Sequence, residues 1–325
     1  MVGTDGTAGM TVGVGLEDIQ AAARRLKGRV RRTPILPATF QKQPVGAGDL
    51  FLKLEHLQVS GSFKARGAVN TLLSLSDDEI KRGICTASGG NHGLAVAYAG
   101  WVAGTRAVVY LPSSTPGPKA DKVRAWGAEV IIEGVVWDEA DAAARLRADE
   151  EGMTYVPAFS DPRVIAGQGT LGLEILEDIA ELDTVVVAIG GGGLISGVAT
   201  AIKALRPEIR VIGVEPTGAP TLKRSVEQGA LVTLERIETA AGTLAPRTSA
   251  QINLDIIKER VDSFVLVSDA EMHEAARWLW FEYAIGSELA GAASVAAIMK
   301  GAIDMGEGRR VAAIICGAGE DGIVR

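Results

Sequence analysis

The stretch Thr184-Val185-Val186-Val187-Ala188-Ile189-Gly190-Gly191-Gly192-Gly193-Leu194-Ile195-Ser196-Gly197 decides the fold. A short β-branched apolar run reads as a buried strand, and a helical pattern follows over 196–205. Between them lie four glycines. Glycine lets the backbone turn its N–H groups inward, and the helix N-terminus adds partial positive charge, which together make an anion cradle. The run is not read as a dinucleotide fingerprint. It is not a P-loop either, because no Lys-Ser/Thr pair closes it.

The same alternation runs outward along the chain. Residues 84–87, 106–111, 130–133, 211–214 and 311–316 read as strands. Residues 93–102, 118–126, 138–150, 169–180 and 270–285 read as helices. Alternation of this kind predicts an α/β protein with mainly parallel, twisted open sheets and helices on both faces. Trp278, Trp280 and Phe281 lie on one periodic helix and are expected in the core or a subunit contact.

Two further runs carry chemistry. Ser60-Gly61-Ser62-Phe63-Lys64-Ala65-Arg66-Gly67-Ala68 places a lysine behind a small, flexible segment at the start of a helical pattern. A lysine that leaves water there loses its proton more readily, and a neutral amine forms an imine with an aldehyde. A solvated charge is the plainer reading of such a lysine. Ser88-Gly89-Gly90-Asn91-His92-Gly93 follows the strand 84–87 and opens a helix, so its N–H groups can hold a carboxylate, and Asn91 suits a phenolic oxygen. A simple helix cap is the alternative there.

The chain has 325 residues and a net charge of -7, which suggests roughly two domains and argues against a nucleic-acid surface. At 47% hydrophobic and 22% charged residues it can bury a full core. Cys85 and Cys316 make no disulfide framework and no metal-ligand spacing, so a cytoplasmic setting is expected. Residues 1–15, rich in Gly and Thr, have neither signal-peptide nor anchor pattern and are expected to be a disordered tail. No apolar stretch is long enough to span a bilayer.

In this order and spacing, GSFKARGA, SGGNHG and GGGGLISG resemble the fold-type II pyridoxal-phosphate enzymes, nearest the threonine/serine dehydratase and serine racemase group. The resemblance runs from about residue 16 to the end of the chain. It implies a tryptophan synthase β-like fold. Segments 16–57 and 157–325 would form a large cofactor domain, 82–156 a small inserted domain with the Asn91 loop, and 58–81 a connecting segment with the Schiff-base lysine. It implies pyridoxal 5'-phosphate held by Lys64, with Phe63 against it, Asn91 on the ring's 3-oxygen, the phosphate on Gly190, Gly191, Gly192 and Gly193, and Cys316 facing the pyridine nitrogen. Glu288 matches an acid near the cofactor, and an acid at a helix start is its other reading. Ser88, Gly89, Asn91 and His92 would bind the substrate carboxylate, although His92 can equally be structural. A homodimer is implied, with a small amino acid as substrate and neither nucleic acid nor membrane as partner.

The implied reaction is β-elimination from a β-hydroxy amino acid such as L-threonine or L-serine, giving a 2-keto acid and ammonia. A 3-hydroxyaspartate or other substituted 3-hydroxy amino acid is the alternative substrate. A racemase would need a second acid/base, and the serine that supplies it in racemases is Gly89 here. A β-replacement synthase would carry an Asp where Ala65 stands. A divalent cation is in doubt, because Glu215 and Ala219 match known ligand positions but Thr221 replaces the expected Asp. Ala240-Ala241-Gly242 and Pro37-Ala38-Thr39 also depart from the pattern and leave the substrate side chain open. Biosynthetic threonine dehydratases carry a C-terminal regulatory domain, and none is expected after Arg325.

Overall fold

The structure, a computed structural model, describes residues 13–115 and 117–323. Its strands in chain order are β1 (Ile35–Pro37), β2 (Asp49–Lys53), β3 (Ile84–Ala87), β4 (Ala107–Leu111), β5 (Glu129–Ile132), β6 (Thr154–Tyr155), β7 (Thr184–Ala188), β8 (Arg210–Pro216), β9 (Ser263–Val267) and β10 (Arg310–Ile314). The helices are α1 (Leu16–Leu26), α2 (Lys64–Leu73), α3 (Asp77–Arg82), α4 (Asn91–Ala103), α5 (Gly117–Ala125), α6 (Trp137–Glu151), α7 (Pro162–Asp178), α8 (Gly193–Leu205), α9 (Thr221–Gln228), α10 (Gln251–Arg260), α11 (Asp269–Tyr283) and α12 (Leu289–Met299).

Two sheets result. One has six strands in the order β1-β2-β10-β7-β8-β9, and the other four in the order β5-β4-β3-β6. All pairings are parallel except β1 with β2. Buried β-branched runs such as Val185, Val186 and Val187 form the centre of the larger sheet, and α8 and α12 pack on it. Helices cover both faces, as parallel sheets require. The fold is the fold-type II α/β architecture expected above.

The strands missed in the sequence are β1, β2, β6 and β9. Strands β1 and β6 are short and lie at sheet edges, β9 is an edge strand half-buried over Ser263–Leu266, and β2, though interior, begins on Asp49 and ends on Lys53, so the apolar signal is diluted. Helix α7 begins seven residues before the expected 169. Asp161 caps it by accepting the Arg163 N–H at 2.7 Å, and Pro162 takes the first turn. Its glycines had masked the helical pattern. Residues 1–12 of the expected tail lie outside the described residues. Disorder does not extend to 13–15, because Val14 is buried beside Ile19 and Ile256 and its carbonyl accepts from Arg260. One apolar residue and one anchored carbonyl are enough to hold that short segment down. Trp278 is buried, with Nε1 donating to Gln43 O, whereas Trp280 and Phe281 are exposed.

Helix α2 carries Lys64 and packs on α4 and α7. Its crossing with α7 is a backbone contact. A Cβ added at Gly167 would lie 2.6 Å from Arg66 O and 2.7 Å from Gly67 Cα. Gly167→Ala therefore pushes α2 off α7. Overpacking typically costs about 1–3 kcal/mol, which outweighs alanine's helix propensity. Urea unfolding should show that loss, while Gly117→Ala, with open space around it, should be neutral or mildly stabilising.

Candidate active site

The ends of β7 and β10, the loop after β3 and the N-terminus of α2 converge on one cleft. An antiparallel bridge joins Ser62 to Gly317, and Phe63 N–H donates to Cys316 O at 3.2 Å. This stitches the Lys64 segment to the end of the large sheet. Lys64 Nζ donates to Ala158 O at 2.7 Å and lies 5.3 Å from the Phe63 ring centroid. Lys64 keeps part of its surface open to the cleft. Even so, desolvation draws its ammonium down to about 8, against the opposing pull of Cys316 and Glu288. A fully solvated lysine is not what the structure shows, because Nζ is bonded to Ala158 O and the side chain is partly buried.

The glycine run adopts the shape of a cradle. Gly192 is left-handed, with φ 93, and caps α8. A Cβ on Gly191 would lie 2.2 Å from the Phe159 ring. The Gly191 carbonyl is pinned outward by two donors, Ser249 Oγ at 2.8 Å and Asn253 Nδ2 at 2.9 Å. Among the described residues, the N–H groups of Gly190, Gly191, Gly192 and Gly193 donate to no protein acceptor. Four free donors at a helix N-terminus fit a phosphate.

Across the cleft, Asn91 Nδ2 donates to Glu288 Oε1 at 2.8 Å. Glu288 stands at the N-cap of α12 but makes no cap bond, and Asp321 accepts the Leu289 N–H instead. Its carboxyl is turned into the site, so the helix-start reading does not hold. Burial lifts Glu288 to about 7, partly offset by hydrogen bonds from Asn91 and Thr243. Cys316 is buried, and burial together with Glu288 pushes its thiol well above the ordinary range, so it is neutral. His92 is buried with Nε2 2.9 Å from Val156 O. Desolvation, and then Lys64, pulls it down to about 3, so the ring is neutral and Nε2 carries the hydrogen given to Val156. In the Ser88 loop, Gly90 N–H donates to Ser88 Oγ at 3.3 Å. Among the described residues, the N–H groups of Gly89, Asn91 and His92 donate to no protein acceptor.

Glu215 stands near the end of β8. Its two oxygens accept the Leu222 and Lys223 N–H groups, each at 2.8 Å, at the start of α9, and burial raises it to about 7. Thr221 Oγ1 donates to Pro246 O, and the Ala219 carbonyl accepts the Thr221 N–H. Among the described residues no group of three or more His, Cys, Asp or Glu is arranged for a metal, and no helix is long and apolar enough to cross a membrane.

Sequence reasoning missed Ala158, Phe159, Thr243, Ser249 and Asn253. They stand on loops and on α10, far along the chain from the glycine runs, and no local pattern marks them.

Residues 10–317 match the family described as pyridoxal-phosphate dependent enzyme. The chain belongs to that family. It is 41% identical over 306 residues to an L-threonine ammonia-lyase of Thermotoga maritima, covering 94% of this chain and 76% of that one. The processed form of threonine deaminase isoform 2 from Solanum lycopersicum superposes with a TM-score of 0.88 at 34% identity, covering 93% of this chain and 83% of that one. Maize serine racemase superposes with 0.89 at 31%, covering 94% of each. A lyase and a racemase fit the backbone equally well, so the side chains must separate them.

Glu288 gives a pH test. Its pKa is raised from an ordinary 4.5 to about 7. Below 4.5 the group is neutral folded and unfolded. Between the two values only the unfolded chain ionises, so wild-type stability falls, and above about 7 the loss is constant. Glu288→Gln keeps an acceptor for Asn91 and does not titrate. Its melting temperature should match wild type near pH 4 and exceed it by about 2–4 °C at pH 8.

Proposed function

We propose that this protein is a pyridoxal-phosphate-dependent ammonia-lyase. It removes the β-hydroxyl of L-threonine, L-serine or a related β-hydroxy amino acid and releases a 2-keto acid and ammonia. The observation that carries the reading is Lys64, partly buried with Nζ on Ala158 O and drawn down to about 8 by desolvation. When bound, the cofactor supplies an aldehyde for amines and an electron-accepting ring.

The residues divide the work. The N–H groups of Gly190–Gly193 hold the phosphate. Lys64 would hold the aldehyde carbon, with Phe63 against the ring. Asn91 has a second amide hydrogen for the ring's 3-oxygen, since Glu288 takes only one. Cys316, as a neutral thiol, would stand at the ring nitrogen and polarise it only weakly, which would favour prompt loss of a β-leaving group. Ser88 and the N–H groups of Gly89, Asn91 and His92 hold the substrate carboxylate, while the His92 ring anchors the loop to Val156. Lys64, as a neutral amine, takes the Cα proton. The Cβ–O bond then breaks, and the hydroxyl leaves with a proton as water. One water is lost and one consumed on hydrolysis, so the products balance.

Gly89 argues against racemisation. Thr115 Cγ2 and Oγ1 would each lie 2.9 Å from a Cβ at Gly89, so a serine could not be placed there without displacing Thr115. The domain limits given above, a homodimer and a cytoplasmic setting belong to the same proposal. Exposed Phe40, Trp280 and Phe281 support a subunit contact. The divalent cation stays outside it, because Thr221 stands where a third ligand is expected and donates its hydroxyl to Pro246 O.

Cofactor-loaded protein should release keto acid and ammonia from a β-hydroxy amino acid and form no D-isomer, and Lys64→Ala should abolish release. Keto acid from no substrate in a panel that includes both 3-hydroxyaspartate diastereomers would sink the reading. A second measurement concerns cofactor capture by apo-protein. Only the neutral amine attacks an aldehyde, so the capture rate should climb with pH and level off above about 8.

A further inference from the structure

The strands of the small sheet end at one edge, and the loops after β3, β4 and β5 lock together there. Ser113 N–H donates to Gly134 O at 2.9 Å and Ser114 Oγ to Val135 O at 3.2 Å, while Thr115 fills the space beside Gly89. The third loop is a fixed turn. Gly134 is left-handed, with φ 77, and the N–H groups of Val135 and Val136 donate to Glu139 Oε2 at 2.5 and 3.4 Å. This rigid turn displays Val135 at 67%, Val136 at 52% and Trp137 at 49% exposure. These apolar side chains are available for contact with a ligand.

Trp137 connects that surface to the cleft. Its Nε1 donates to Ala87 O at 2.9 Å, and Ala87 directly precedes Ser88. Two residues back on the same edge of β3, Cys85 O accepts the Val156 N–H. Alternate carbonyls of a strand point the same way. The indole therefore takes the bond that a longer β6 would have made at Ala158, the residue whose carbonyl accepts Lys64 Nζ. With its only donor spent on Ala87, Trp137 has an apolar ring surface left to offer, with valine methyl groups next to it in the chain.

We propose that Trp137, with Val135 and Val136, forms the subsite for the substrate's β-substituent and selects β-hydroxy amino acids with an apolar or aromatic β-substituent over serine. This rests on the lyase reading of the same cleft. The test compares kcat/KM of the cofactor-loaded enzyme on L-threo-3-phenylserine, L-threonine and L-serine. Wild type should prefer phenylserine. Trp137→Ala should lose ~10-fold or more on phenylserine relative to its loss on serine, mainly through KM. Trp137→Phe should keep more than Trp137→Ala, and Val135→Ser should shift preference in the same direction as Trp137→Ala. Equilibrium dialysis with L-phenylalanine and L-alanine, which lack a β-hydroxyl, reads the subsite without turnover, and phenylalanine binding should weaken more than alanine binding in Trp137→Ala. Equal losses on both amino acids, or a wild-type preference for serine, would overturn the subsite. Keto acid from none of the substrates would remove the lyase reading, while dialysis would still report whether the indole selects apolar side chains.

Discussion

The seating of α2 on α7 is the constraint on which the site depends. Arg66, two residues beyond Lys64, is buried and fully bonded. Its Nε and Nη2 reach both oxygens of Glu55 at 2.9 and 2.6 Å, and its Nη1 and Nη2 reach both oxygens of Glu174 at 2.7 and 2.9 Å. Lys53 Nζ adds a 2.7 Å bond to Glu174, and Thr33 Oγ1 donates to Glu55. Burial opposes the Arg66 charge, yet Glu55 and Glu174 hold its pKa above the ordinary range. Two forked pairs fix rotation as well as distance. Residues of β2, α2 and α7, and the 3-10 turn at Glu55, are thus tied at one point, and the Gly67–Gly167 contact sets the spacing. Removing one partner from such a cluster would leave a buried charge uncompensated, at a cost of about 3–5 kcal/mol, so its value lies in geometry more than in net stability.

The same burial shapes the chemistry. In the cleft, desolvation moves Lys64 and His92 down and moves Glu288 and Cys316 up. Every shift favours the neutral form. A neutral amine can attack a carbonyl and take up a proton, a neutral thiol polarises a ring nitrogen only weakly, and a neutral imidazole can anchor a loop by donating to a carbonyl. The low-dielectric cleft assigns these roles largely through one physical effect. The charge that enters is left to backbone N–H groups, which carry partial charge without a titrating proton.

Much of this was legible in the chain. The strand–glycine–helix run at 184–197 and the strand–loop–helix run at 84–93 are local patterns, and short-range sterics make them nearly independent of context. Lys64 could be singled out because small residues precede it and a helical period follows. Glu288 was ambiguous, since an acid before a helix usually caps it. Only with Asp321 placed at that N-terminus was the carboxyl freed for Asn91. Val14 and Trp137 were unreadable for the same reason, each being fixed by a partner dozens of residues away or more: Arg260 in one case, Ala87 in the other.

The sequence by itself determined the α/β class, the family and the lysine, because these rest on periodicity, glycine conformation and the order of three short motifs. The tertiary structure alone decided protonation and surroundings. Desolvation of Lys64, the outward pinning of the Gly191 carbonyl by Ser249 and Asn253, and the filling of Gly89's space by Thr115 all arise from residues far apart in the chain. Burial and contact are properties of the packed molecule, and no window of sequence contains them.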